Sequence, residues 1–522
     1  MNFVPFKPKD TEAVKKPPLV YGVRDTLFAY LCIPVCFLFV KSSPLSSSAL
    51  GTLLAFWAVA ALSLVYLILS GVRLSPIAFA TGGIILLLSV GFLTNAGAAQ
   101  RTLLSLFLMI VFPVFVYTCC KKDFFVDFSQ NPIQRLCGAV FLLPLNSLMP
   151  CLPVFIPQKG GKKSRVLPIL GWCAVGLLCA VIPTIIIALL LSYDEQFNNL
   201  LERIFDFSSE NIFENVGDVL LAVILALPLF ALLFGNLQAK ATENTQTNEV
   251  QEERTSWNVQ ILPKPLVAAF VTPILLLYVL FFISQWSYYV SAFTHVLPEG
   301  LTYAQYAREG FFQLCTVCVF NALLMICMHA FMRRTPDEKG ILRRILAGII
   351  SLFTLILIAT ALSKMVLYIN AYGMTRARVL ATWMIMLLAV IFILSLVWVF
   401  CKRFPLAIAI LITCALFALV LFLPNIDGMI ANYNVDAYLS GDLSGVDVDA
   451  LCDLDYAAVP ALDRLEKHLL AEEKLDEKTA ELLKATTERL DKLAKQSAKT
   501  PDGFFDFNIP TWQAKQILKE RG

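Results

Sequence analysis

The chain has 522 residues, of which 58% are hydrophobic and only 16% are charged. Together with a mean hydropathy of +0.72, this composition exceeds what the core of a water-soluble protein needs and excludes an ordinary soluble fold. The formal net charge of +3 does not indicate a nucleic-acid-binding protein.

Long apolar runs separated by polar or charged residues predict eleven membrane-spanning helices, because about 20 apolar residues cross the hydrocarbon core of a bilayer. The run at 136–156 is also apolar, but three prolines and Asn146 interrupt it, and we expect an interfacial or re-entrant segment there. The fold class predicted is an all-α, polytopic transmembrane helical bundle with a small C-terminal soluble α-helical domain. The predicted spans are 25–41, 50–71, 76–94, 102–120, 167–191, 215–235, 265–287, 310–332, 345–369, 379–401 and 404–423.

The polar segment 236–264 has no hydrophobic periodicity and predicts a cytoplasmic linker between two membrane halves. The sequence predicts four further segments on either side of this linker. They are a cytoplasmic N-terminal extension at 1–24, a first membrane half of about six spans at 25–235, a second membrane half of about five spans at 265–423 and an acidic helical domain at 424–522.

The distribution of Lys and Arg in the loops predicts the orientation, because basic residues collect on the cytoplasmic side. With the N-terminus inside, the inner segments hold 23 basic residues and the outer loops hold six. An odd number of spans then places the C-terminal domain outside the cell. One missed or extra span would reverse that side.

The C-terminal domain carries 19 acidic against 12 basic residues over 425–522. Leucines at helical spacing between 462 and 493 predict an amphipathic helical pair. After it come four aromatic residues, which we expect either to pack on the helical pair or to rest on the membrane surface. They are Phe504, Phe505, Phe507 and Trp512.

Four strings in the second half carry a family resemblance. They are LPEGLTYAQYAREGFFQL at 297–314, ALSKMVLYINAYGMTRARV at 361–379, NIDGMIANYNVDAY at 425–438 and LCDLDYAAVPAL at 451–462. With these strings the chain resembles a bacterial multi-pass membrane family that is catalogued only as a domain of unknown function, under the numbers four-one-seven-three and four-one-five-three. The resemblance covers roughly residues 170–520 and implies a membrane fold without an assigned chemistry. Lys364 departs from the arginine that this family more often has.

Basic and tyrosine residues gather at the predicted outer ends of the later spans, against the usual bias of charge. An anionic ligand or the acidic tail would explain why cations are kept there. The alternatives are purely structural. The aromatic residues would form an interfacial belt, and the Lys364 side chain would extend to the membrane surface. This candidate polar outer-face cluster consists of Arg308, Glu309, Lys364, Tyr368, Tyr372, Arg376 and Arg378.

These features predict a non-enzymatic protein of the bacterial plasma membrane, acting as a sensor or accessory component in envelope signalling or small-molecule handling. A permease for an anionic substrate is the alternative. A membrane-embedded enzyme acting on a lipid-linked substrate would depend on Asp194, Glu195 or Glu309. The chain has no motif for a catalytic centre, a cofactor or a metal, and the partners expected are the lipid bilayer and an envelope or membrane protein that binds the C-terminal domain.

Overall fold

The computed structural model describes the chain in ten stretches, and the predicted span at 167–191 lies outside them. The described residues are 21–42, 48–121, 132–155, 209–245, 262–284, 303–333, 340–401, 403–472, 476–499 and 503–521.

These stretches consist almost wholly of helices, so the predicted all-α fold class is confirmed. The N-terminal helices are α1 (Val23–Lys41), α2 (Ala49–Leu69), α3 (Pro76–Ser89), α4 (Gly91–Thr94), α5 (Ala98–Cys120), α6 (Pro132–Cys137), α7 (Leu143–Cys151) and α8 (Ser209–Thr245). The later helices are α9 (Lys264–Ser284), α10 (Tyr303–Phe331), α11 (Ile341–Tyr372), α12 (Arg376–Phe400), α13 (Leu406–Phe422), α14 (Ile426–Leu439), α15 (Val448–Cys452), α16 (Val459–Ala471), α17 (Glu477–Lys499) and α18 (Ile509–Lys519).

Ten helices in the described part of the chain are long and apolar enough to cross a membrane. One of them, Arg135–Val154, covers most of the segment predicted to be interfacial or re-entrant. That prediction remains open, since length and composition permit a full span there. An eleventh span is possible where α13 and α14 follow each other with a bend of 63°. Pro424 lies at this bend, where it cannot donate the backbone hydrogen bond that would continue α13.

The chain divides into two compact units. The first contains the described residues of Met1–Phe37 and Pro144–Phe234, and the second those of Leu38–Leu143 and Gly235–Gly522. In the first unit, the Tyr21 hydroxyl donates a hydrogen bond to the Pro150 carbonyl, and the Tyr21 and Phe234 rings lie 5.1 Å apart. The predicted first membrane half is therefore shared between the two units.

In the second unit, α9 to α12 enclose a hydrophobic core in which Ile350, Ala361 and Phe392 are buried. A buried chain of hydrogen bonds crosses three of these helices. The Tyr278 hydroxyl donates to Asn321 Oδ1 at 2.6 Å, and Asn321 Nδ2 donates to Thr354 Oγ1 at 2.9 Å. Such polar contacts join helices in an apolar medium, where burial alone gives no driving force.

One end of the second unit collects several helix termini, and we call it the docking end. Here α2, α5 and α12 begin and α13 ends. Asn95, which precedes α5, donates from its side-chain amide to the Phe422 carbonyl at 2.8 Å. Gly91 lies so close to α13 that a Cβ atom there would be 2.5 Å from the same oxygen. The start of α5 is thereby fixed beside the end of α13.

The C-terminal helices pack on one another within the second unit. Helix α16 contacts α14, α17 and α18, and its Leu462, Leu465 and Leu469 are fully buried. Glu466 on the same helix is buried with them and pairs with Arg521, whose Nη2 lies 2.7 Å from Glu466 Oε1. The helical pair predicted from the leucine spacing corresponds to α16 and α17. The solubility of this region stays a prediction.

Candidate functional site

The candidate site is built around the short turn between α11 and α12. Gly373 ends α11 with a φ of 73°, in the left-handed region that glycine adopts without strain. Thr375 then caps α12, since its side chain accepts a hydrogen bond from the Arg378 backbone N–H. Arg376 and Arg378 therefore lie in the first turn of α12, where the helix dipole is unfavourable to cations. Each needs a compensating group.

Asp427 on α14 compensates Arg376. Arg376 Nε lies 2.6 Å from Asp427 Oδ1, and Nη2 lies 2.8 Å from Oδ2, so the guanidinium holds the carboxylate with two parallel hydrogen bonds. The Asp427 side chain is 0% exposed and that of Arg376 is 31% exposed. A bidentate pair of this kind is strong and directional, and its carboxylate would be costly to leave buried alone.

The start of α5 covers the other side of the Asp427 carboxylate. Gln100 Nε2 lies 3.4 Å from Asp427 Oδ1. A Cβ atom at Gly97 would lie 2.8 Å from Asp427 Oδ2 and 3.3 Å from Arg376 Nη2. Glycine at 97 therefore allows α5 to approach the ion pair closely.

Asn434 makes a second contact between α14 and the same turn. Its side-chain amide accepts from the Met374 backbone N–H at 2.6 Å and donates to the Met374 carbonyl at 2.9 Å. Asp427 and Asn434 are seven residues apart, two helical turns, and so share a face of α14. We call the contacts of Asp427 and Asn434 with Arg376 and Met374 the α14 contact.

Helix α14 also binds the C-terminal helices. The Arg464 side chain on α16 donates to Asn432 at 2.8 Å and pairs with Asp436 at 3.0 Å. Ile430, Ala431 and Val435 are buried along the helix. One face of α14 therefore contacts the turn between two membrane helices while other residues of it contact α16.

A second arginine and further carboxylates surround the α14 contact. Arg101 on α5 is 5% exposed and interacts electrostatically with Asp455 and Asp506. Asp455 and Asp453 interact in the same way with Arg376. Asp455 has a φ of 56°, an uncommon backbone conformation outside glycine. Arg101 and Arg376 thus form one electrostatic network at the docking end with four aspartates of the C-terminal region. The aspartates are Asp427, Asp453, Asp455 and Asp506.

The side chains of some members of the predicted outer-face cluster are described by the structure, and most of these lie close together. The guanidinium of Arg378 lies 4.1 Å from the centre of the Tyr368 ring and donates to the carbonyls of Tyr372 and Gly373. The Tyr368 and Tyr372 rings are 5.5 Å apart. Arg376 instead faces Asp427. Arg378 is therefore compensated by a ring and carbonyl oxygens, and Arg376 by a carboxylate.

Lys364 lies one turn before Tyr368 on α11 and is only 5% exposed. Its side chain is therefore packed against neighbouring residues, and both interpretations of Lys364, as a ligand-binding cation and as a side chain that extends to the membrane surface, stay predictions. Arg308 and Glu309 belong to α10, but their side chains lie outside the described part of the chain, as do Asp194 and Glu195.

Sequence reasoning missed Gly97, Gln100, Arg101, Gly373 and Asn434 as members of this site. The spacing of Asp427 and Asn434 on an otherwise apolar helical face was the available signal for α14. Among the described residues, no group of three or more His, Cys, Asp or Glu side chains has a geometry that could hold a metal ion.

The chain matches the family described as Domain of unknown function (DUF4153) over residues 27–465. The match begins within α1, so it also includes the first four predicted spans, and it contains every residue of the α14 contact. No curated protein and no solved structure gives a match. The resemblance predicted from the four strings is confirmed, and the chain belongs to the DUF4153 family.

Proposed function

We propose that this multi-pass membrane protein acts as a non-enzymatic sensor or accessory component in envelope signalling at the bacterial plasma membrane. In this proposal the C-terminal helices respond to a partner or a mechanical state outside the membrane, and α14 passes that response to the turn between α11 and α12. The observation that carries the proposal is the pair of Arg376 with the fully buried Asp427 carboxylate, together with the second contact through Asn434.

The free energy of separating α14 from the turn between α11 and α12 favours two discrete positions of α14 over a continuous range of positions. If α14 separated from the turn, the Asp427 carboxylate would have to leave a fully buried position and enter water, while Met374 would lose both hydrogen bonds to Asn434. Packed polar contacts of this kind break together, which is the property a switching element requires. Most of the basic residues lie in the loops at the other ends of the spans, the predicted cytoplasmic side. This distribution supports placing the docking end outside the cell.

Complementation tests this function. A strain that lacks the protein and grows poorly under osmotic or detergent stress would be supplied with the wild type, D427N or D449N. Asp449 is an exposed aspartate of the same region, so D449N is the matched control. We expect D449N to restore growth and D427N to fail at an equal amount of protein in the membrane. Full restoration by D427N would contradict the proposal.

A permease for an anionic substrate is the second candidate, and the burial of Lys364 inside the bundle favours it. A cation at that position could bind a carboxylate or phosphate group during transport. Proteoliposomes containing the wild type should then take up such an anion, and K364M should abolish the uptake. Absence of uptake of phosphate and of small carboxylates by the wild type would remove this candidate.

A further inference from the structure

Five large apolar side chains close to the C-terminus are exposed. Phe504 is 73% exposed and Trp512 is 52% exposed, and the Phe504 and Phe505 rings contact each other at 5.5 Å. We call these residues the aromatic patch. They are Phe504, Phe505, Phe507, Ile509 and Trp512.

The position of the aromatic patch is fixed relative to a membrane helix. The Ser48 hydroxyl donates to Asp506 Oδ1 at 3.0 Å, and Asp506 lies in the middle of the patch. Ser48 is the residue immediately before α2, and the turn at Phe504–Asp506 packs on α2. Helix α18, which contains Trp512, packs on α4 at the same end of the second unit.

The length of α2 sets the depth of Ser48. Its 21 residues extend about 30 Å at 1.5 Å per residue, which equals the thickness of the hydrocarbon core. Ser48 therefore lies at the boundary between hydrocarbon and headgroups, and the patch lies there with it. The lipid-facing surface of α2 continues from this level, where Leu54 and Trp57 are also exposed.

We propose that the aromatic patch inserts into the interface of the bilayer that the spans cross, and that it holds the C-terminal end of the chain against the membrane surface. Phenylalanine and tryptophan are the side chains that favour this depth. The inner face of α18 is already occupied, because Pro510, Ala514 and Leu518 are buried. The exposed aromatic face is therefore left for the lipid.

Tryptophan quenching in reconstituted nanodiscs tests the proposal. The full chain contains seven tryptophans, so the emission of Trp512 is obtained as the difference between the wild type and W512F. Trp57 on α2, measured in the same way with W57F, is the matched lipid-facing control. Both difference spectra would be recorded in ordinary phospholipid and in phospholipid brominated on its acyl chains.

We expect brominated lipid to quench part of the Trp512 emission, and a larger part of the Trp57 emission, because Trp57 lies nine residues into α2 and therefore about 14 Å deeper than Ser48. No quenching by brominated lipid would overturn the proposal, whether acrylamide in the water quenches Trp512 or a bound protein shields it from both quenchers. A second probe, F504W in the W512F background, should give the same result if the whole patch is inserted. If one of the two variants fails to fold, the other probe still tests the proposal.

Discussion

Asp427 and Asn434 lie two turns apart on one face of α14 and bind neighbouring residues of a single turn, Arg376 and Met374. The turn connects two membrane helices of the second unit, α11 and α12. Helix α14 therefore contacts this turn through two contacts, one charged and one neutral. The following predictions separate the contributions of these contacts.

Replacing Gly373 should test the neutral contact. In G373A the backbone strain of a left-handed residue costs about 1–2 kcal/mol. The new methyl group, 2.5 Å from Asn434 Oδ1, would also displace that side chain and break its two hydrogen bonds, each worth about 0.5–1.5 kcal/mol. The thermal midpoint in detergent should fall accordingly.

Gly71 supplies the matched control for G373A. It has a similar φ of 78°, but no heavy atom lies within 4 Å of a Cβ placed there. G71A should therefore show the backbone strain alone and a smaller loss of stability. Equal losses for the two variants would mean that Asn434 contributes nothing to the turn.

Replacing Gly97 should test the close approach of α5 to the ion pair. In G97A the added methyl group crowds both Asp427 and Arg376, and overpacking of this kind typically costs about 1–3 kcal/mol. The cost should shrink when Asp427 is already alanine, because the space is then free. G83A is the control, since nothing lies within 4 Å of its Cβ position. A loss as large in G83A would contradict this explanation.

The stability of the C-terminal helices should depend on pH through Glu466. Hydrogen bonds from Arg521 lower the pKa of the Glu466 carboxyl below its ordinary value. The pair therefore stabilises the fold above the pKa of an unfolded glutamate, about 4.3, and this stabilisation is lost as the pH falls through the lowered pKa of the folded state. The protection factors of the α16 amides, which correct for the slower intrinsic exchange in acid, should therefore fall in that acidic range.

The variant E466Q should remove most of that acidic transition, because its amide cannot titrate. E488Q is the control. Glu488 pairs with Lys484 at 4.0 Å, but both side chains are largely exposed, and such surface pairs contribute little. An unchanged acidic transition in E466Q would assign it to other carboxylates.

The sequence predicted the membrane helices well because bilayer thickness sets the length of an apolar run. It also indicated that the basic residues around Arg376 needed a partner, since cations at the predicted outer ends of the spans oppose the usual bias of charge. It could not select Asp427 from the many aspartates of the tail, because the pair is 51 residues apart along the chain and depends on the bend after α13. Gly97 was not recognisable, since its role comes from tertiary packing.

The Arg376–Asp427 pair itself should show strong coupling in a double-mutant cycle. Removing one partner of a fully buried pair costs about 3–5 kcal/mol, and the cost here should be smaller, because the Arg376 side chain is 31% exposed and water screens part of the charge. R376A and D427A should each destabilise the protein, and the double variant should lose less than the sum of the two. Additive losses would show that the two groups do not interact energetically.

Hydrogen–deuterium exchange of α16 in nanodiscs, compared between the wild type and R376A, tests the central claim most directly. Arg376 belongs to a membrane helix, and it reaches α16 through α14 and through Asp453 and Asp455, which precede α16 in the chain. The account predicts that R376A accelerates exchange along both α14 and α16, while exchange in α9 stays unchanged. Acceleration confined to the first turn of α12, with α16 as protected as in the wild type, would contradict it.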